Sequence, residues 1–88
     1  MQLIKDHILR KVGKNIVLVP FSSRETDFDG MIVLNQTGEF ICRKLEQDIS
    51  REELIRNLAE EYDENIETVE KDTDVFLAQL AECHMLIP

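Results

Sequence analysis

The sequence predicts an α+β domain in which a three-stranded antiparallel sheet comes first and three helices follow. Residues 1–35 contain β-rich apolar runs that are separated by turn residues. From Asn35 onward the apolar residues recur about every three and a half residues instead of every two residues. A chain of 88 residues can bury one hydrophobic core, so residues 1–88 are predicted to form a single domain.

The first two predicted strands form a hairpin. In the first strand Ile8, Arg10 and Val12 alternate with Leu9 and Lys11, and the turn residues Gly13-Lys14-Asn15 follow. The second strand is the apolar run Ile16–Val19. Pro20 cannot donate a hydrogen bond to a neighbouring strand, so we expect the second strand to end there.

A third strand is predicted at Met31–Leu34, after a polar loop at 22–30 that closes with Asp29-Gly30. Consecutive strands tend to be neighbours, so Ile16–Val19 should lie in the middle of the sheet. The third strand would then be an edge, and it carries neither charge nor proline to prevent pairing with another chain. Either the third helix and a loop cover this edge, or it is open to an extended peptide.

Three helices have separate signals. The first begins near Asn35 or Thr37, which are both good N-caps. The second begins at Ser50 with the capping box Ser50-Arg51-Glu52-Glu53 and ends at Asp63-Glu64-Asn65. The third follows at once, and its predicted apolar face consists of Ile66, Val69, Thr73, Phe76, Leu77, Leu80 and His84.

Charge is distributed unevenly along the chain. Residues 1–44 have a net charge of +2 and residues 45–88 a net charge of −10. A polyanion would repel the second half, so nucleic acid is not expected as a partner. No apolar run of about twenty residues predicts a membrane span. The first ten residues lack a secretory signal and the two cysteines are far apart, so a cytoplasmic location is expected.

The residues that could carry chemistry do not form a recognisable motif. Cys83 and His84 are adjacent, so on a helix their side chains would point about 100° apart and would not share a metal ion. Cys42 is expected to be a small core residue. The acidic run Asp63–Asp74 resembles a calcium loop but has Thr68 where the turn requires Gly. We therefore expect no catalytic residue, metal or cofactor in this chain.

The run Met31-Ile32-Val33-Leu34-Asn35-Gln36-Thr37-Gly38-Glu39-Phe40-Ile41 resembles the strand-to-helix junction of the PqqD family, small proteins named for pyrroloquinoline quinone (PQQ) biosynthesis. The segments 54–63 and 72–80 look like the second and third helices of that family. The resemblance implies a winged-helix-like domain that acts as a peptide chaperone. Such proteins bind the leader of a ribosomally made precursor peptide and present it to a modifying enzyme, often a radical S-adenosylmethionine enzyme.

The resemblance also implies where the leader would bind. It would add as a strand beside the third strand, in a cleft walled by the third helix. The implied peptide-binding residues are Met31, Ile32, Val33, Leu34 and Asn35 on the strand, and Asp72, Val75, Gln79 and Glu82 on the helix. Val75 is the one apolar residue on that outer flank, and the flank should favour Lys or Arg opposite Asp72, Gln79 and Glu82.

Other readings stay open. This chain has Cys83-His84 where the family commonly has Gly, so we expect a modified peptide other than the quinone precursor. A winged-helix DNA-binding or regulatory protein is the alternative function, although the third helix is acidic and has Lys71 as its single base. A homodimer formed across paired third strands is also possible, and it could coexist with peptide binding.

Overall fold

The computed structural model describes residues 1–20 and 31–88, so the predicted polar loop at 22–30 lies outside the described residues. The elements follow the order expected of an α+β domain, which confirms the predicted class. They are β1 (Gln2–Leu3), β2 (His7–Val12), β3 (Asn15–Pro20), β4 (Ile32–Leu34), α1 (Gln36–Lys44), α2 (Arg51–Tyr62), α3 (Ile66–Glu82) and β5 (Leu86–Ile87).

The sheet is the predicted antiparallel meander, with β3 between β2 and β4. Leu9, Leu18 and Ile32 lie opposite one another across the three strands, and this face of the sheet packs on the core. β3 ends at Pro20 as expected. The turn is one residue shorter than predicted, because Asn15 already pairs with Val12. Gly13 makes this tight turn possible, since its φ of +63° is unfavourable for other residues.

Each helix begins at an asparagine or serine that caps it. The backbone N–H of Gly38 donates to Asn35 Oδ1 at 2.7 Å at the start of α1. Ser50 Oγ accepts from the N–H of Glu53 at 3.1 Å, as the predicted capping box requires. Asn65 caps α3 two residues after Asp63, whose left-handed backbone (φ 49°) ends α2. These local side-chain contacts fix where the helices begin and end.

The core lies between the inner face of the sheet and the three helices. Its largest fully buried side chains are Leu18, Ile41, Leu45, Leu54, Leu58, Leu80 and Met85. Cys42 is also fully buried, and burial, more than the nearby Glu46, raises the pKa of its thiol to about 12. A thiol with such a pKa is inert at neutral pH, so Cys42 is the core residue that the sequence predicted.

Two residues assigned to the apolar face of α3 lie outside the core. Ile66 is 54% exposed because it is the first residue of the helix and precedes the turn that reaches the core. His84 is exposed and lies beyond the helix end, with a left-handed φ of 58°. The predicted burial of Ile66 and His84 is therefore wrong.

The chain ends form a second, two-stranded sheet in which β1 pairs antiparallel with β5. The N–H of Leu3 donates to the carbonyl of Leu45 at 2.8 Å, and that of Ile4 donates to the carbonyl of Met85 at 3.0 Å. Leu3 of this small sheet and Met85 beside it are both buried in the core. None of the helices in the described residues is long and apolar enough to cross a membrane.

Candidate functional site

A cleft of about 250 Å³ lies between the first turn of α1 and one flank of α3. Its floor is apolar, because Ile41 is fully buried and Phe76 is partly buried there. Its rim is polar apart from Val75, which is 68% exposed. The lining residues are Asn35, Thr37, Gly38, Ile41, Asp72, Val75, Phe76 and Gln79.

Gly38 brings the two helices close together at the floor of this cleft. A Cβ atom at this position would lie 3.3 Å from Cε1 of Phe76 and 3.2 Å from Oδ1 of Asn35. Both distances are shorter than ordinary van der Waals contacts, so a larger residue would push α3 away from α1. Glycine therefore lets the Phe76 ring pack on the start of α1.

The cleft continues toward the sheet. A second hollow of about 340 Å³ shares Asn35, Phe76 and Gln79 with the cleft and extends to Val33 and Leu34 at the end of β4. Asn15, at the start of β3, lines its far side. The edge strand and α3 thus border one continuous groove.

β4 forms the sheet edge on this side. Among the described residues it pairs with β3 alone. Ile32 and Leu34 point into the core and are 6% and 5% exposed, whereas Met31 and Val33 are 57% and 60% exposed. A second chain at this edge could therefore use the β4 backbone and the Met31 and Val33 side chains, while the Ile32 and Leu34 side chains stay in the core.

The structure brings together part of the predicted site. Val33, Leu34, Asn35, Asp72, Val75 and Gln79 line the groove, whereas Met31, Ile32 and Glu82 line neither the cleft nor the hollow. The sequence reasoning missed Asn15, Thr37, Gly38, Ile41 and Phe76. Phe76 was assigned to the apolar face of the third helix, and a glycine in the first turn of a helix was the one sequence signal of a close approach.

The two flanks of α3 differ in electrostatics. On the flank toward the start of α2, Arg51 donates to Asp74 at 2.7 and 2.8 Å and to Glu70 at 3.1 Å. The guanidinium lowers the pKa of Asp74 because it stabilises the carboxylate. On the flank toward the groove, Asp72 has no hydrogen bond or ion pair with any residue that the structure describes. Asp72 is thus the uncompensated charge at the rim.

The described residues give no sign of a metal centre. In residues 1–20 and 31–88, no three His, Cys, Asp or Glu side chains are grouped around a common point. Asp63 and Asn65, which opened the calcium-like run, instead end α2 and cap α3. Asp74, at the end of that run, binds Arg51.

Comparison with known families identifies the chain. Residues 16–86 match the family described as Coenzyme PQQ synthesis protein D (PqqD). This match covers most of the chain, so the protein belongs to the PqqD family, as its strand-to-helix junction predicted. No curated protein matches the sequence.

Two solved structures have a similar fold. One is TbiB1 in complex with the TbiA(beta) leader peptide, at a TM-score of 0.78 and 24% identity, with 98% of this chain and 94% of that chain covered. The other is lasso peptide synthetase B1 complexed with the leader peptide, at a TM-score of 0.75 and 22% identity, with 99% and 96% covered. Both similarities cover nearly all of this chain.

Proposed function

We propose that this protein is a non-catalytic binding partner for the leader of a ribosomally made precursor peptide, which it presents to a modifying enzyme. The main support for the proposal is the edge strand β4, which has no charged residue or proline and lies beside a groove with an apolar floor. The protein also belongs to the PqqD family. Two proteins of similar fold, described in complex with leader peptides, support it.

The leader would bind by adding a strand to β4. Main-chain hydrogen bonds along Ile32–Leu34 would supply affinity that does not depend on sequence, and the groove would select side chains. Val75, exposed on α3, would contact an apolar side chain of the leader. Met31 and Val33 would extend this apolar contact along the strand.

The groove supports a binding role better than a catalytic one. Among the residues that the structure describes, Asp72 is the single titratable side chain that lines the two parts of the groove. A general acid or base needs a partner group to activate or orient the substrate. The chemistry on the precursor would then belong to the second protein. The family resemblance favours a radical S-adenosylmethionine enzyme as this partner. We expect the two proteins to act in the cytoplasm, on a precursor whose product is not the quinone.

Amide chemical shifts test where a leader binds. The ¹⁵N-labelled protein would be titrated with synthetic leader segments of precursor peptides encoded beside its gene. We expect the largest shifts at Ile32–Asn35 and at Asp72–Gln79, and none at β2. Shifts confined to other parts of the chain would contradict the site.

Backbone methylation of the peptide tests how it binds. Strand pairing uses every second N–H of the added strand, so N-methylation along the leader should weaken binding with a period of two residues. Side-chain recognition alone would give no such alternation. A titration with duplex DNA at low salt is the matched test of the alternative function, and saturable binding there would favour a DNA-binding protein.

A further inference from the structure

A smaller cavity of about 60 Å³ lies beside the main cleft, between the end of α2 and the start of α3. Thr37 and Asp72 line both spaces and separate them. The cavity is also lined by Tyr62 at the end of α2, by Glu64 in the turn that follows, and by the buried residues Leu58, Val69 and Thr73. Because the two spaces share Thr37 and Asp72, a long side chain that enters the cleft from a peptide on β4 would come close to this cavity.

Two uncompensated carboxylates face the small cavity. The structure's described residues offer neither Asp72 nor Glu64 a side-chain hydrogen bond or an ion pair. Like charges repel each other, so a cation placed between the two carboxylates is favoured over an anion or an apolar group. On the opposite flank of α3, by contrast, Arg51 already binds Asp74 and Glu70.

An aromatic ring completes the cavity. The Tyr62 ring packs edge-on against Phe40, with the ring centres 5.8 Å apart, and its hydroxyl donates to the Gln36 carbonyl at 3.4 Å. These contacts hold the ring in place against α1. A fixed tyrosine ring attracts ammonium and guanidinium groups through its negative face.

The size and surroundings of the cavity suit the end of one long basic side chain. About 60 Å³ corresponds to roughly two water molecules of liquid, which is enough for one ammonium or guanidinium group. The aliphatic stem would cross the main cleft along Phe76 and Val75, as the stems of Lys and Arg do on apolar surfaces.

We propose that this cavity is a cation subsite that binds the head group of a Lys or Arg in the bound peptide, between Asp72 and Glu64. The proposal rests on the proposed function and names the class of leader that the groove selects. It differs from the expectation from sequence, because Glu82 lines neither cavity and Glu64, which no motif indicated, takes its place.

A displayed library of random twelve-residue peptides tests the subsite without knowledge of the natural leader. Peptides would be selected on the wild-type protein and on the variant Asp72→Asn/Glu64→Gln, with Glu60→Gln as the control. Glu60 is an exposed carboxylate of α2 that lines neither cavity. We expect Lys or Arg to be enriched at one peptide position for the wild type and the control, and this enrichment to disappear for the double variant.

Affinity measurements on one selected peptide then form a double-mutant cycle between the peptide and the protein. Replacing its Lys or Arg by norleucine, which keeps the stem and removes the charge, should weaken binding to the wild type about fivefold and leave binding to the double variant nearly unchanged. Equal binding of both peptides to the wild type would overturn the cation subsite, whatever the folding of the variants.

Amide shifts separate the two proposals. Peptides that shift β4 amides but show no preference for a basic residue would overturn the subsite and support the proposed function. Peptides that depend on Asp72 and Glu64 but leave β4 unshifted would support the subsite and overturn strand addition at β4.

Discussion

The two edges of the three-stranded sheet are built differently. Arg10 on β2 and Val33 on β4 lie on either side of Val17, on the same face of the sheet. At these equivalent positions one edge carries a charge and the other an exposed apolar residue. Lys11 adds a second charge to β2, whereas β4 has none. Among the described residues, β2 thus carries charges that oppose pairing with another chain, and β4 carries none.

The second difference is the groove. β4 leads directly into Asn35 and α1, so its edge lies beside the cleft that α1 and α3 form. Residues of β2 do not line this groove in the described part of the chain. An extended peptide can therefore gain both backbone pairing and side-chain contacts at β4, which is what a selective strand-addition site requires.

The largest expected effect comes from closing the groove. Gly38→Leu should place a side chain against Phe76 and Asn35, lower the free energy of unfolding by about 1–3 kcal/mol and abolish binding of a selected peptide. Denaturant unfolding and titration calorimetry measure the two effects. Gly13→Ala is the control, since its positive φ costs about 1 kcal/mol but Gly13 lies in the hairpin turn. Unchanged peptide binding by the Gly38 variant would show that the groove is not used.

Exchanging the two edge residues should have the next largest effect. Val33→Lys gives β4 the kind of charge that β2 carries, so we expect peptide affinity to fall about tenfold. The matched variant Arg10→Val removes a charge from the other edge and should leave peptide affinity unchanged while increasing self-association. Calorimetry measures the affinities and light scattering the mass. Equal affinity losses in both variants would mean that the edges are not distinct.

Homodimerisation through β4 stays a prediction, and competition between the dimer and a bound peptide tests it. If two copies pair through this edge, light scattering should show a mass that rises with protein concentration. Because the dimer and the peptide would use the same backbone groups, an added peptide should return the mass to that of one chain. A dimer that persists with saturating peptide must use another surface.

The smallest expected effect concerns the other flank of α3. Folding lowers the pKa of Asp74, so its pairing with Arg51 stabilises the fold above the ordinary pKa of an aspartate. This contribution should disappear as the pH falls through the lowered pKa. Replacing Arg51 with Gln should return the pKa of Asp74 toward its ordinary value, which a carboxyl carbon NMR titration measures. Peptide binding at pH 7 should not change, since Arg51 is on the flank away from the groove.

Local signals made much of this fold predictable. The caps at Asn35 and Ser50 follow from side chains that bond to their own helix, and the meander follows from neighbouring runs with a short turn. β1 and β5 pair near the two ends of the chain, but each strand has two residues, which are too few to show an alternating pattern in the sequence.

The site was harder to predict than the fold. The strand edge could be predicted from its lack of charge and proline, whereas the outer flank of α3 was implied by the family resemblance. The groove itself depends on Gly38 and Phe76, which are far apart in sequence and meet only after α1 packs on α3. Glu64 was read as part of a helix break, and its place beside Asp72 follows from the packing of α2 on α3.

Hydrogen–deuterium exchange of the two sheet edges tests the central claim most directly. Exchange would be followed at the amides of β2 and β4, without peptide and with a saturating selected peptide. Strand addition predicts slower exchange in β4 when the peptide is bound, with no change in β2. Protection of β2, or binding that protects neither edge, would contradict the account.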